Sequence, residues 1–165
     1  MTPNKIHALA QINIGRIRAP LDSDAMSGFV TRLDEINALA DRAPGFVWRL
    51  QDEHGNNTSL HAWDDERLLL NMSVWESIEQ LRAFTYETAH AEVLRQRRDW
   101  FEKFEQVFLA LWWIPAGHIP TIAEAKERLE YLDAHGPTPF AFNFKTTFPA
   151  DHYAMLSSWA PGDAR

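Results

Sequence analysis

The chain has 165 residues and no cysteine, which removes disulfides, zinc-thiolate sites and iron–sulfur clusters from its chemistry. That composition fits a reducing compartment, and a cytoplasmic protein is expected. No apolar run approaches the roughly 18 residues of a membrane span, and no basic segment leads into an apolar core near residue 1, so neither a membrane helix nor a signal peptide is expected. Basic residues are in the minority, 16 Lys+Arg against 23 Asp+Glu, for a net charge of -7. Without a positive stripe to displace counterions from phosphates, nucleic acid is not an expected partner. The one basic run, Arg95-Gln96-Arg97-Arg98, is too short for such a footprint and falls on an expected helix where acidic neighbours can pair with it. Glycine numbers only 7, and no dinucleotide-binding, phosphate-loop or nucleophile-elbow glycine motif occurs. His7, His54, His61, His135 and His152 form none of the spacings that metal sites use, so no metal is expected.

Aromatic residues, by contrast, are plentiful. Seven Trp and ten Phe contribute to a 12% aromatic fraction, and each such ring buries on the order of 150–250 Å². An aromatic core, an aromatic-lined cavity or a subunit interface must absorb them. The length suits one domain over residues 1–165, with a core at 5–116 and a C-terminal extension at 117–165.

Periodicity gives the order of elements. His7 to Gly15 alternates as a strand, with Ala8, Ala10, Ile12 and Ile14 on the face expected to meet the core. Gln11 and Asn13 fall opposite, either solvated or lining a polar patch. Asp22 or Ser23 can cap a helix to about Ala40, whose apolar stripe runs through Met26, Phe29, Val30, Leu33 and Ile36. Strands are expected at Phe46 to Gln51 and Leu68 to Trp75, joined by a polar hairpin loop over Asp52 to Ser59 and an arm over Leu60 to Trp63. A Ser77-x-x-Gln80 capping box opens a second helical region to about Phe104, with a break near Thr85-Tyr86. Leu109 to Pro115 is a fourth strand carrying Trp112 and Trp113 side by side. Thr121-x-x-Glu124 opens a last helix, stopped by Gly136-Pro137, and Phe140 to Lys145 alternates as a fifth strand or edge segment. Beyond Pro149 the chain is irregular, with Tyr153, Met155, Leu156 and Trp159 as anchors.

The order is βαββαβ followed by αβ, an α+β, ferredoxin-like plan with a C-terminal extension. Adjacent strand residues point to opposite faces, so Trp112 and Trp113 cannot both lie under the same helices. A second copy laid sheet to sheet would bury the other apolar set, and a homodimer is therefore expected.

Several segments resemble a bacterial family of unknown function, DUF3291. They are N-I-G-R-I-R-A-P-L (13–21), P-G-F-V-W-R-L (44–50), N-M-S-V-W-E-S-I-E-Q-L-R-A-F (71–84), R-R-D-W-F (97–101), L-W-W-I-P-A-G-H-I-P-T (111–121) and G-P-T-P-F-A-F (136–142). The resemblance implies a dimeric α+β barrel, similar in fold to antibiotic-biosynthesis monooxygenases. It transfers no catalytic residue, and relatives on that fold include cofactor-independent oxygenases, haem-degrading enzymes and plain ligand binders.

The candidate chemistry is then as follows. His118, in the Gly117-His118-Ile119-Pro120 loop, is a candidate base or haem ligand, or it fixes the loop ahead of the helix. Tyr86 and His90 are four residues apart on one helical face and can look into a cavity together, or sit at the surface. Asn13, Asn71 and Arg49 are strand residues able to orient a carbonyl or stabilise an enolate-like anion if they converge. Trp75, Trp112 and Trp113, with Trp48, can stack a planar ligand, or belong to the core or an interface. The expected function is monooxygenase-like action on a small aromatic or polyketide-like molecule without a cofactor, haem being the one admitted, with His90, His118, Tyr86 and Asn71 nearest the chemistry. The alternative is a non-catalytic ligand-binding or structural dimer.

Overall fold

A computed structural model describes residues 6–52, 62–88 and 90–151. Strands β1 (His7–Arg16), β2 (Phe46–Arg49), β3 (Leu68–Trp75) and β4 (Leu109–Pro115) form one antiparallel sheet in the order β2-β3-β1-β4. Helices α1 (Ser27–Asp41), α2 (Ile78–Glu87), α3 (His90–Arg95), α4 (Arg97–Trp100) and α5 (Ile122–His135) complete the chain, with a short 3-10 turn at Asp24–Met26. This is the ferredoxin-like α+β arrangement, in which the first and third strands are the central pair. The expected hairpin loop over 53–59, with His54 and His61, lies outside the described residues, as do His152, Tyr153, Met155, Leu156 and Trp159. Of the expected arm at 60–63, the described pair Ala62 and Trp63 lies in a bend and not in a strand.

Two of the three expected caps form: Ser77 Oγ accepts from Gln80 N and Thr121 Oγ1 accepts from Glu124 N, each offering an acceptor to an unpaired donor of the first turn. The cap expected from Asp22 or Ser23 does not: Ser23 leads only into the 3-10 turn, its hydroxyl donating back to Pro20 O, and α1 starts at Ser27 behind Met26 without a side-chain cap. Gly136 ends α5 at φ 76, where a Cβ would be strained. Gly45 turns the chain into β2 at φ 83 and passes so close to Gln80 that no side chain fits there.

Three further expectations need correction. The long second helix breaks at Thr88 and again at Gln96, and its last turn ends at Trp100, well short of Phe104. Thr88 is extended, its hydroxyl donating to Phe84 O and accepting from His90 N at 3.2 Å, so one side chain closes α2 and opens α3. The expected fifth strand over 140–145 amounts to two isolated antiparallel bridges, Phe142 with Leu111 and Ala141 with Thr138. The third correction concerns the two faces of the sheet.

Ala8, Ala10, Ile12, Ile14, Met72, Val74 and Trp112 do face a core, but its cover is α5, through Ala125, Leu129 and Leu132. The opposite face carries Leu9, Trp75, Leu111 and Trp113 and lies under α1 and α2. Each of the paired tryptophans thus takes one face. Trp112 is wholly buried within one chain, so covering it does not call for a second copy. The premise behind the expected homodimer is removed, because the C-terminal extension supplies the layer that a partner was expected to supply.

Candidate functional site

The central strands place four polar residues together on the face beneath α1 and α2. In the β1–β3 register Gln11 stands opposite Ser73 and Asn13 opposite Asn71. The period-2 alternation of each strand turns all four to the same side, between the large apolar residues Leu9, Trp75 and Leu111. Gln11 Nε2 donates to Asn71 Oδ1 at 2.7 Å and to Ser73 Oγ at 2.8 Å, and Asn13 Nδ2 reaches Gln11 Oε1 at 3.5 Å. Trp75 Nε1 also donates to Ser73 Oγ at 2.8 Å. Gln11 and Ser73 are nearly inaccessible, so the patch is a hydrogen-bonded floor and not a solvated strip. The solvated reading is therefore overturned for Gln11, while Asn13 stays partly exposed at the edge of the floor.

Above the floor is a cavity of about 330 Å³, at the small end of the range for ligand pockets, roughly 300–1,000 Å³. Its roof is the apolar stripe of α1 (Phe29, Leu33, Ile36) with Leu81 and Phe84 of α2 and Val93 of α3. Asn37 interrupts that stripe. It lines the cavity, is 7% exposed, and its Nδ2 has no hydrogen-bond partner. An unmade amide bond in such a place costs about 1–3 kcal/mol, which a bound polar group would recover.

His90 lines the cavity at the first turn of α3 and packs on Phe84 at 5.1 Å between ring centroids. Its Nδ1 lies 3.2 Å from Thr85 O. A carbonyl oxygen only accepts, so Nδ1 carries the proton and Nε2 is the basic atom of the neutral ring. Burial holds the imidazole below its usual range, against the opposing pull of that hydrogen bond. Tyr86 also lines the cavity but is half exposed, edge-on to Phe144 at 5.8 Å.

Charge at the cavity is of one sign. Arg32, Arg49 and Arg97 line it, and among the described residues no Asp or Glu does. Arg49 is paired with Asp41 at 2.8 Å and Arg32 with Glu92 at 3.5 Å. Among the described residues, no carboxylate lies within 4.0 Å of Arg97, contrary to the expectation that acidic neighbours neutralise the basic run.

The structure therefore brings His90, Tyr86, Asn71, Asn13 and Arg49 to one cavity. It leaves the other expected residues elsewhere. His118 lies on the surface loop after β4, its Nε2 2.9 Å from Glu124 Oε1, which ties that loop to the first turn of α5. Trp75 is buried beside the floor, stacked on Phe84 at 5.1 Å, and acts as a buttress to Ser73 and not as lining. Trp113 donates to Phe148 O at 2.7 Å, and Trp112 is sealed under α5. Large rings filled the core because it offered the greater burial. Ser73, Asn37 and Arg97 were missed as site residues. Their signal was a polar residue at i+2 on a strand face, one inside a helical stripe, and one basic residue on a helix that turns inward. Among the described residues, no group of three or more His, Asp or Glu is placed to hold a metal ion, and no helix is long and apolar enough to cross a membrane.

A family model described as "Domain of unknown function (DUF3291)" matches residues 8–157. No curated protein sequence matches the chain. Solved structures similar to it include SnoaB, a cofactor-independent oxygenase from Streptomyces nogalater, at 14% identity and a TM-score of 0.42, covering 68% of this chain and 95% of that one. A Pseudomonas aeruginosa protein is similar at 15% identity and a TM-score of 0.44, covering 72% of this chain and 100% of that one. A Mycobacterium tuberculosis protein is similar at 13% identity and a TM-score of 0.44, covering 69% and 99%.

Proposed function

The chain belongs to the DUF3291 family, whose description names no reaction, and from its cavity we propose that it binds a small aromatic or polyketide-like molecule and removes a proton from it without a cofactor. The observation that carries this reading is the meeting of a neutral histidine with an amide floor inside one apolar cavity. A planar ligand would lie between the roof of Phe29, Leu33 and Phe84 and the floor of Asn13, Asn71 and Gln11. His90 Nε2 would accept an acidic O–H or C–H proton, and Asn71 Nδ2 would donate to the oxyanion that remains. Deprotonation of an enol or phenol in a water-poor cavity is the step an oxygenase without a cofactor needs. Tyr86 stands at the exposed side as a contact for the ligand.

The test is a titration with hydroxylated naphthoquinones and anthrones, following ligand absorbance and oxygen consumption. Saturable binding is expected, with His90→Ala retaining binding and losing about 10²–10⁴-fold in rate. No saturable binding by any member, or turnover unchanged in His90→Ala, overturns the reading. Binding without turnover in the native chain selects the non-catalytic alternative.

Haem is a second reading, favoured by one feature. A histidine whose Nδ1–H is held by a backbone carbonyl presents Nε2 as metal-ligating histidines do. A Soret band lost in His90→Ala would support it. Neither reading requires a homodimer, and we would place the chain in the cytoplasm on its lack of cysteine.

A further inference from the structure

Arg97 is a cation placed where a cation is expensive. It lines the cavity roof at α4, and burial lowers its affinity for the proton with no neighbouring charge opposing that effect. Its side chain donates to Ile14 O at 3.0 Å, and its guanidinium lies 4.7 Å from the centre of the Phe108 ring and 5.4 Å from that of Phe101. A carbonyl and two ring faces compensate part of the desolvation, but none of them carries a charge. The bond to Ile14 also fixes the guanidinium one residue along β1 from Asn13, at the end of the amide floor. Across the rest of the cavity Arg32 and Arg49 have their carboxylates, and among the described residues no carboxylate lines the space. In a chain with 23 acidic residues, a cavity whose described lining holds none is a selective arrangement.

We propose that the ligand of this cavity is an organic acid, and that its carboxylate pairs with Arg97 while its apolar body lies over the amide floor. The proposal rests on the cavity being a ligand site and adds the class of ligand that occupies it. Arg97 is then the specificity-determining residue. A guanidinium presents several N–H donors in a planar fork, and among the described residues it makes one contact to a protein acceptor, so donors remain for a bidentate carboxylate. The pair would form in a half-buried setting, where charge attraction is less screened than at the surface. Unpaired Asn37 Nδ2, in the same cavity, is a further donor for an oxygen of the acid.

The experiment compares 2-naphthoate with 2-naphthamide, which differ in charge and hardly in shape, by calorimetric titration of the full chain. The expected result is at least a tenfold preference for the acid in the native protein. In Arg97→Gln the ratio of acid to amide affinity falls to about one, whatever the change in the amide's own affinity; in Arg97→Lys the preference is kept in part, because the charge remains and the fork does not. Equal binding of acid and amide by the native protein overturns the inference with the cavity reading intact, and it does so even if both variants fail to fold. A preference that survives in a folded Arg97→Gln overturns it as well. Binding of neither compound, at concentrations where hydroxylated naphthoquinones also fail to bind, overturns the cavity reading itself and this inference with it.

Discussion

His90 joins site chemistry to stability through one proton. Desolvation lowers its affinity for the proton in the folded chain relative to the ordinary value of 6.5. The unfolded chain then binds more protons than the folded one between the two values, so stability rises with pH across that window. Read downward, stability is intact above about 6.5 and is lost as pH falls through the lower folded-state value. Replacing His90 by Gln should flatten this part of a denaturant midpoint-against-pH profile; an unchanged slope between pH 4 and 7 would remove His90 as its source (a window set by the ordinary histidine range). The same proton governs the proposed reaction, whose rate should reach its plateau once the ring is neutral. At this scale the sequence was informative about the residues and not about their support: Tyr86 and His90 do line one cavity, but from two helices, α2 and α3, and not from one helical face. It was uninformative for His118, because nothing local distinguishes a loop histidine facing a pocket from one held by a carboxylate six residues on.

Strands were more legible than helices. Alternation fixed β3 at Leu68–Trp75 and β4 at Leu109–Pro115 as expected, since a slip by one residue would exchange the two faces. The long second helical region was legible in its apolar stripe but not in its breaks, because Thr88 interrupts it by a hydroxyl bonded to the chain on both sides. Propensity alone does not show such a competition between side chain and backbone. The break has a use: it starts α3 at the residue that carries the imidazole. Replacing Thr88 by Ala should cost about 0.5–2 kcal/mol in denaturant unfolding, the usual range for a lost cap. It should also weaken protection of the His90 amide against hydrogen exchange, relative to amides of β1. Equal protection in the two proteins would show that packing on Phe84, and not Thr88, sets the position of the ring.

For the whole molecule, the C-terminal extension changes what the sheet needs. A four-stranded antiparallel sheet with helices on one side leaves its other side open, and Trp112 with Met72, Ile12 and Val74 forms an apolar layer there. The βαββαβ order was legible from periodicity, but which element would cover that layer was not, because amphipathic α5 fits either its own sheet or a partner's. The structure assigns it to its own sheet, with Ala125 and Leu132 buried. A carboxylate at position 112 therefore tests two different architectures. If a second copy covered this face, Trp112→Glu would yield folded monomers. With α5 as the cover, it places an unpaired charge in a closed core and leaves a void where an indole had been. Loss of a core tryptophan alone costs about 3–5 kcal/mol, comparable with the whole stability of a small domain. The expected outcome is a chain that loses its cooperative thermal transition while its sedimentation state before unfolding matches that of the native protein. A stable, folded variant of smaller mass would reverse the assignment, returning α5 to the role of a movable cover and the sheet face to a subunit interface.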